Sequence, residues 1–152
     1  MCIRDRHLLA PDDLLRTLQS ALSGEGAKGK NSDTLAKAIA TSYPAVLIDE
    51  FQDTDPTQFA VFNAIYANTC HPKPPCWIMI GDPKQAIYAF RGADVFTYIQ
   101  AKKLVANEQQ FTLGSNWRSH KPLVEAINGL FAGSEQGFLF EHSIPFLSLI
   151  HI

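Results

Sequence analysis

At 152 residues, 46% hydrophobic and 18% charged, the chain is long enough for one ordinary domain with its own core and also suits a piece of something larger. A net charge of −2 gives no global sign of a nucleic-acid partner, and no run approaches the roughly eighteen apolar residues that a membrane span needs. MCIRDRH at the start is not followed by a signal-type apolar region, and Cys2, Cys70 and Cys76 are too irregular for a disulfide framework, so a soluble, cytoplasmic protein is expected.

Asp12 to Leu22 places Leu14, Leu15, Leu18 and Leu22 on one helical face, and GEGAKGKNS breaks the pattern. Within that breaker Gly24, Gly29 and Lys30 have the G-x-x-x-x-G-K spacing of a phosphate-cradling loop. Asn31 stands where the magnesium-binding Ser or Thr is required, and a helix rather than a strand precedes it, so a surface loop is expected. Asp33 to Ser42 predicts a second helix, ended ahead of Pro44, and Ala45 to Ile48 a short apolar strand of buried type. Asp55-Pro56-x-Gln58 reads as an N-cap, a first-turn proline and an acceptor at the third helical position, opening a helix with Phe59, Phe62 and Tyr66 on one face. A proline-rich loop, His71 to Pro75, leads to a second apolar strand, Trp77 to Ile80, which ends in Gly81-Asp82. Cys70-His71 with Cys76 is at most half a zinc site, and these read as ordinary loop cysteines. Ala93 to Val105 predicts a helix with Val95, Phe96 and Ile99 inward, and Phe111 to Leu113 a third strand. From Ser119 onward a helix carries Leu123, Ile127, Leu130 and Phe131 on one stripe. Strands alternating with helices, without an internal repeat, give an α/β class with a mostly parallel sheet flanked by helices.

In such sheets ligands bind beyond the carboxyl ends of the strands, where both Asp49-Glu50 and Gly81-Asp82 fall. LIDEFQDTD, residues 47 to 55, sets Asp49, Glu50, Asp53 and Asp55 close together, and residues 45 to 72 contain no Lys or Arg. Residues 73 to 121 carry seven Lys or Arg against three acids, so one segment can hold a cation while its neighbour meets an anion. An ATP-hydrolysing site needs one carboxylate for magnesium and another to orient and deprotonate water; Asp49 and Glu50 offer that pair. The plainer alternative is that these acids cap the next helix, as Asp55 does. In GDPKQAIYAFRGAD, residues 81 to 94, the Gln85 amide can hydrogen-bond a γ-phosphate or its water. Tyr88 and Phe90, with the cation Arg91 beside them, can stack bases of a single strand at about 1–3 kcal/mol per base, or belong to the core. In NWRS, residues 116 to 119, Arg118 can stabilise a transferring phosphoryl group and Trp117 can stack on adenine; equally, they are a surface cation and a core indole.

These three clusters, in this order, match a family. VLIDEFQDTDPTQ resembles motif II of superfamily-one helicases of the UvrD/Rep type, GDPKQAIYAFRGAD their motif III, and TLGSNWRSHKPLVEAINGLF their motif IV. Pro83-Lys84, Ala89-Phe90 and Phe96 to Tyr98 resemble the form of the branch that comprises the beta subunits of exodeoxyribonuclease V, as do the flanking DDLLRTLQSAL and FLFEHSIPF. The resemblance covers about residues 11 to 147. It implies part of a RecA-like P-loop NTPase motor: residues 11–113 as the C-terminal half of a first motor domain and 114–147 as the start of a second, with 1–10 and 148–152 as extraneous ends.

The resemblance further implies an ATP-dependent DNA helicase acting in double-strand break repair and recombination. ATP would be its substrate and Mg2+ its cofactor. Single-stranded DNA, duplex ends and the gamma and alpha subunits of an exodeoxyribonuclease V-type complex would be its partners. Position by position, Asp49 would bind magnesium and Glu50 would activate water; Gln85 and Arg118 would contact the γ-phosphate, and Trp117 would lie against adenine. Tyr88, Phe90 and Arg91 would meet DNA; Phe90 stands where tryptophan is common in UvrD relatives. No true Walker A sequence, second motor arginine or nuclease domain is present, so the isolated chain is expected not to hydrolyse ATP. The nearest alternative is a UvrD/Rep-type repair helicase without a nuclease. A metal-dependent nuclease using the acids of residues 49 to 55 would have no use for Gln85 or Trp117-Arg118. A non-enzymatic DNA-binding module would tolerate Glu50→Gln.

Overall fold

A computed structural model describes residues 10–24, 30–67, 74–87, 94–132, 147 and 149–151. The chain divides into two compact units, Met1–Tyr98 and Ile99–Ile152.

The first unit begins with helix α1 (Pro11–Ser23), which has proline in its first turn and Asp12 and Asp13 at the positive end of the helix dipole. The Asp13 carboxylate accepts from the Ala10 N–H at 3.1 Å, and Gly24, in the left-handed conformation at φ 78°, ends the helix. Helix α2 (Lys30–Ser42) begins three residues earlier than its apolar pattern suggests and stops before Pro44. After strand β1 (Ala45–Ile48), helix α3 (Pro56–Tyr66) crosses over to strand β2 (Cys76–Met79). The strands pair in parallel, in the register Ala45↔Cys76 to Ile48↔Met79. Parallel neighbours cannot be joined by a tight turn, so the crossover helix is the topological cost of placing both carboxyl ends side by side.

Two apolar layers meet on α3. Val61 and Ile65 are buried against Leu22 of α1 and against Ala36 and Ala40 of α2, whose small side chains at i, i+4 let the helices approach closely. The rings of Phe59 and Tyr66 lie instead 6.0 and 6.4 Å from Trp77 on β2. This explains why α3 is apolar nearly all round: it is covered on both sides. The expected face of Phe59, Phe62 and Tyr66 is half-buried, while Val61 and Ile65 form the deeper contact.

The strands differ from the doubly buried type in one respect. Val46, Ile48, Trp77 and Met79 are half-buried, but Leu47 on the opposite face is 61% exposed and Ile78 is 46% exposed. Within this unit, the described helices cover one face only.

Helix α4 (Val95–Leu104) starts at Asp94, whose carboxylate accepts from the Phe96 N–H and the Thr97 hydroxyl. That cap sets the phase, and Thr97 and Ala101, four apart, become the buried positions. Phe96, expected inward, is exposed.

In the second unit the Gln110 side-chain amide donates to the Lys102 and Val105 carbonyls and so closes the end of α4. Phe111 to Leu113 is not a strand; Phe111 and Leu113 are both 89% exposed. Pairing begins two residues later, where strand β3 (Ser115–Asn116) lies parallel to strand β4 (Ile150–His151). Helix α5 (Lys121–Ala132) buries Val124, whereas Leu123, Ile127 and Leu130 of the expected stripe are exposed. Asn128 ties α5 to the Leu149 backbone through two hydrogen bonds, of 2.8 and 3.2 Å.

The cap of α3 is a direct test of the crossover. Asp55 Oδ1 accepts from the N–H groups of Thr57 and Gln58 at 2.7 and 2.9 Å, and Gln58 Oε1 accepts from the Asp55 N–H at 3.3 Å. Asp55→Ala is expected to lower the unfolding free energy by about 1 kcal/mol and Asp55→Asn by much less, read as the midpoint shift of a urea titration at constant slope.

Candidate active site

The ladder of β1 and β2 continues beyond the strands themselves. The Ile80 N–H donates to the Ile48 carbonyl, and the Phe51 N–H donates back to the Ile80 carbonyl, both at 2.8 Å. Residues 49–53 and 81–85 therefore leave the sheet as two adjoining turns.

The first turn is sharp. Glu50 takes φ 50°, ψ 43° and is the only non-glycine with positive φ among the described residues. For a side chain with a Cβ this conformation costs on the order of 1 kcal/mol. The Glu50 N–H donates to Asp49 Oδ1 at 2.9 Å, and one turn of 3-10 helix, Phe51–Asp53, follows. This turn drives Phe51 inward, where its ring centroid lies 6.2 Å from both Phe59 and Tyr98. Burial pushes the Tyr98 phenol above its ordinary pKa, and the negative charge of Asp82 adds to the rise.

Gln52 is also buried, at 2% exposure, and both ends of its amide are engaged. Nε2 donates to Glu50 Oε2 at 2.7 Å, and Oε1 accepts from the Asp82 N–H at 3.1 Å. Asp82 continues the connection: its carboxylate accepts from the Lys84 N–H at 3.0 Å and from Gln85 Nε2 at 3.3 Å, with Lys84 Nζ 3.5 Å away. A chain of side-chain and backbone hydrogen bonds thus runs Glu50–Gln52–Asp82–Gln85.

Glycine at position 81 is a consequence of that closeness. A Cβ there would lie 2.7 Å from Gln52 Oε1, and 3.0 and 3.1 Å from the backbone nitrogens of Phe51 and Gln52. A larger residue would push the two turns apart or displace the Gln52 amide.

The four acids of LIDEFQDTD divide into two kinds. Asp55 is committed to the α3 cap, and Asp53 is half-buried, its Oδ1 enclosed without a hydrogen-bond partner. Asp49 and Glu50 are exposed, as is Gln85. Mutual repulsion of the exposed pair is therefore screened by water rather than amplified by burial. Among the described residues no three His, Cys, Asp or Glu side chains gather as a metal cage. Asp49 and Glu50 are both solvent-exposed carboxylates, and such groups suit a hydrated hard cation completed by water and substrate oxygens.

The NWRS segment belongs to the second unit. Asn116 Oδ1 accepts from the N–H groups of Arg118 and Ser119 at 3.0 and 2.8 Å, so the turn after β3 presents Trp117, 74% exposed, and Arg118, also exposed. Tyr88, Phe90 and Arg91 lie outside the described residues, as do Gly29, Cys70 and His71.

Gln52, Gly81 and Asp82 carry the geometry, yet none stood out as a candidate site residue. Gln52 sits in a run of acids and looks solvated; only its contact with a turn thirty residues away reveals it as buried. The local signal for Gly81-Asp82 was a strand end, whereas the demand for glycine comes from the other turn.

Comparison with known proteins agrees with the motifs. The model of the UvrD/REP helicase N-terminal domain matches residues 3–106. RecBCD enzyme subunit RecB of Escherichia coli (strain K12) is 45% identical over 144 residues, which is 95% of this chain and 11% of that protein. The subunit of the same name from Haemophilus influenzae is 47% identical over 131 residues, 86% of this chain and 10% of that protein. That of Mycolicibacterium smegmatis is 39% identical over 134 residues, 88% of this chain and 11% of the relative. The chain spans about a tenth of the length of the curated relatives it matches. With its two acidic turns inside the matched region, the chain belongs to the UvrD/REP helicase family and is homologous to a segment of RecB.

Proposed function

We propose that this chain is the part of an ATP-dependent DNA helicase that reads and cleaves the terminal phosphate of ATP, within a beta subunit of an exodeoxyribonuclease V-type complex. The observation that carries the proposal is the hydrogen-bonded path from Glu50 through Gln52 and Asp82 to Gln85, which joins two exposed polar groups at neighbouring strand ends. In such a site Mg2+ would neutralise charge on the β- and γ-phosphates. Asp49 would hold that ion, Glu50 would take a proton from the attacking water, and Gln85 would hydrogen-bond the γ-phosphate or the water. Arg118 would meet the same phosphoryl group, and Trp117 would lie against adenine. Tyr88, Phe90 and Arg91 would face single-stranded DNA.

Under this reading residues 11–113 complete a first motor domain and 114–147 open a second. The exposed sheet face at Leu47 and Ile78 supports a further layer packed on that face in the complete protein, since parallel sheets are ordinarily covered on both faces. The gamma and alpha subunits would be the protein partners, duplex ends the loading site, and the cytoplasm the compartment. The commitment of Asp55 to its helix cap removes one acid from any two-cation nuclease built on residues 49 to 55.

The test is Glu50→Gln in the complete helicase subunit, assembled with its partners. ATP affinity is expected to change little, while DNA-stimulated hydrolysis falls by about 10²- to 10⁴-fold, as expected for loss of a general base. Undiminished turnover would overturn the assignment. The 152-residue chain alone is expected to show no DNA-stimulated ATPase, and turnover there would contradict the need for a phosphate loop.

A further inference from the structure

We infer that Gln52 is a positioning residue that registers Glu50 against Gln85, so that the groups acting on the attacking water and on the terminal phosphate are held as one unit. The inference rests on the function proposed above and deepens it.

Gln52 is an unusual choice for a position with 2% exposure. A buried amide costs free energy unless both its ends are satisfied, and an apolar side chain of equal length would fill the same volume without that demand. Here both ends are satisfied, and by partners of a specific kind. The donor goes to a carboxylate on an exposed neighbour rather than to a backbone carbonyl, and the acceptor goes to the backbone of the second turn.

The consequence for Glu50 is geometric. A glutamate at an exposed position samples several rotamers; a 2.7 Å bond from a buried, immobile amide selects one and leaves its other carboxylate oxygen for water or substrate. The consequence for the second turn is similar. Asp82 receives Gln52 through its N–H and presents its carboxylate to Lys84 and Gln85, so a shift of Gln85 on meeting a phosphate would be transmitted to Glu50. Among the described residues, Asp49 and Asp53 on the first turn and Asp82 with Lys84 on the second are charged groups beside this path. Gly81 keeps the space clear.

The experiment uses the complete helicase subunit in its complex, with ATP and an oligo(dT) strand as probes. Gln52→Met retains length and volume but has neither donor nor acceptor for this path. It is expected to lower kcat by about 10- to 100-fold, the scale of a misplaced reacting group, with KM for ATP changed less than about threefold. In a Gln85→Ala background the same substitution is expected to cost much less, because the registered pair is already broken. A residue that merely fills the core would give additive losses, or lost folding without a kcat-specific effect. Should Gln52→Met fail to fold, Gly81→Ala, which crowds Gln52 Oε1 while keeping the amide's donor and acceptor, is read by the same kcat and KM split. Unchanged kcat in a folded variant, or additivity with Gln85→Ala, overturns the inference. Glu50→Gln is the control: if it spares hydrolysis, the proposed function fails; if it abolishes hydrolysis while Gln52→Met does not affect kcat, only the registration fails.

Discussion

Three hydrogen bonds beyond the ends of the parallel strands hold the candidate site together: Ile80 N–H to Ile48, Phe51 N–H to Ile80, and Asp82 N–H to the Gln52 side chain. The strand pair alone would end as two loops free to diverge. With these bonds the loops remain in contact for several residues, and the contact is close enough that a Cβ at position 81 would meet Gln52 Oε1 at 2.7 Å. The rest of the first unit serves this arrangement. Helix α3 returns the chain so that both strands end on the same side, and Phe51 anchors the first turn between Phe59 and Tyr98. The Asp55 cap then redirects the chain from that turn into α3.

The energetics are those of a locally unfavourable structure held by its surroundings. Glu50 in the left-handed region and a buried amide at Gln52 each oppose folding by themselves. They persist because an aromatic cluster lies under the turn and because each end of the amide finds a partner. Removing one partner would leave a buried group unsatisfied, at about 1–3 kcal/mol, a sizeable fraction of a domain's stability. Such a turn is stiff where chemistry needs fixed groups, while Asp49, Glu50 and Gln85 remain in contact with solvent.

Much of this was legible from the residues. Ala45 to Ile48, the Asp55-Pro56-x-Gln58 start of α3 and the strand near Trp77 follow from local rules of apolar run, cap and breaker, and each appears within a residue or so of its expected place. Asp49-Glu50 and Gly81-Asp82 were visible as strand ends. The failures share a cause. Which residue of α4 faces inward depended on the Asp94 cap, and whether Leu47, Leu123 or Leu130 is buried depends on what packs against it, which periodicity does not reveal. Phe111 to Leu113 has the composition of a strand but no partner strand in the described structure. Gln52 was hidden for the same reason: its role lies in contacts between segments distant in sequence.

The central claim is that the turns after β1 and β2 form one hydrogen-bonded body. Residue-resolved amide hydrogen exchange on the 152-residue chain tests it most directly. The N–H groups of Phe51, Ile80 and Asp82 are expected to exchange far more slowly than free-peptide amides, in step with the helical core around Val61 and Ile65. Exchange of these three at free-peptide rates, with that core still protected, would contradict it.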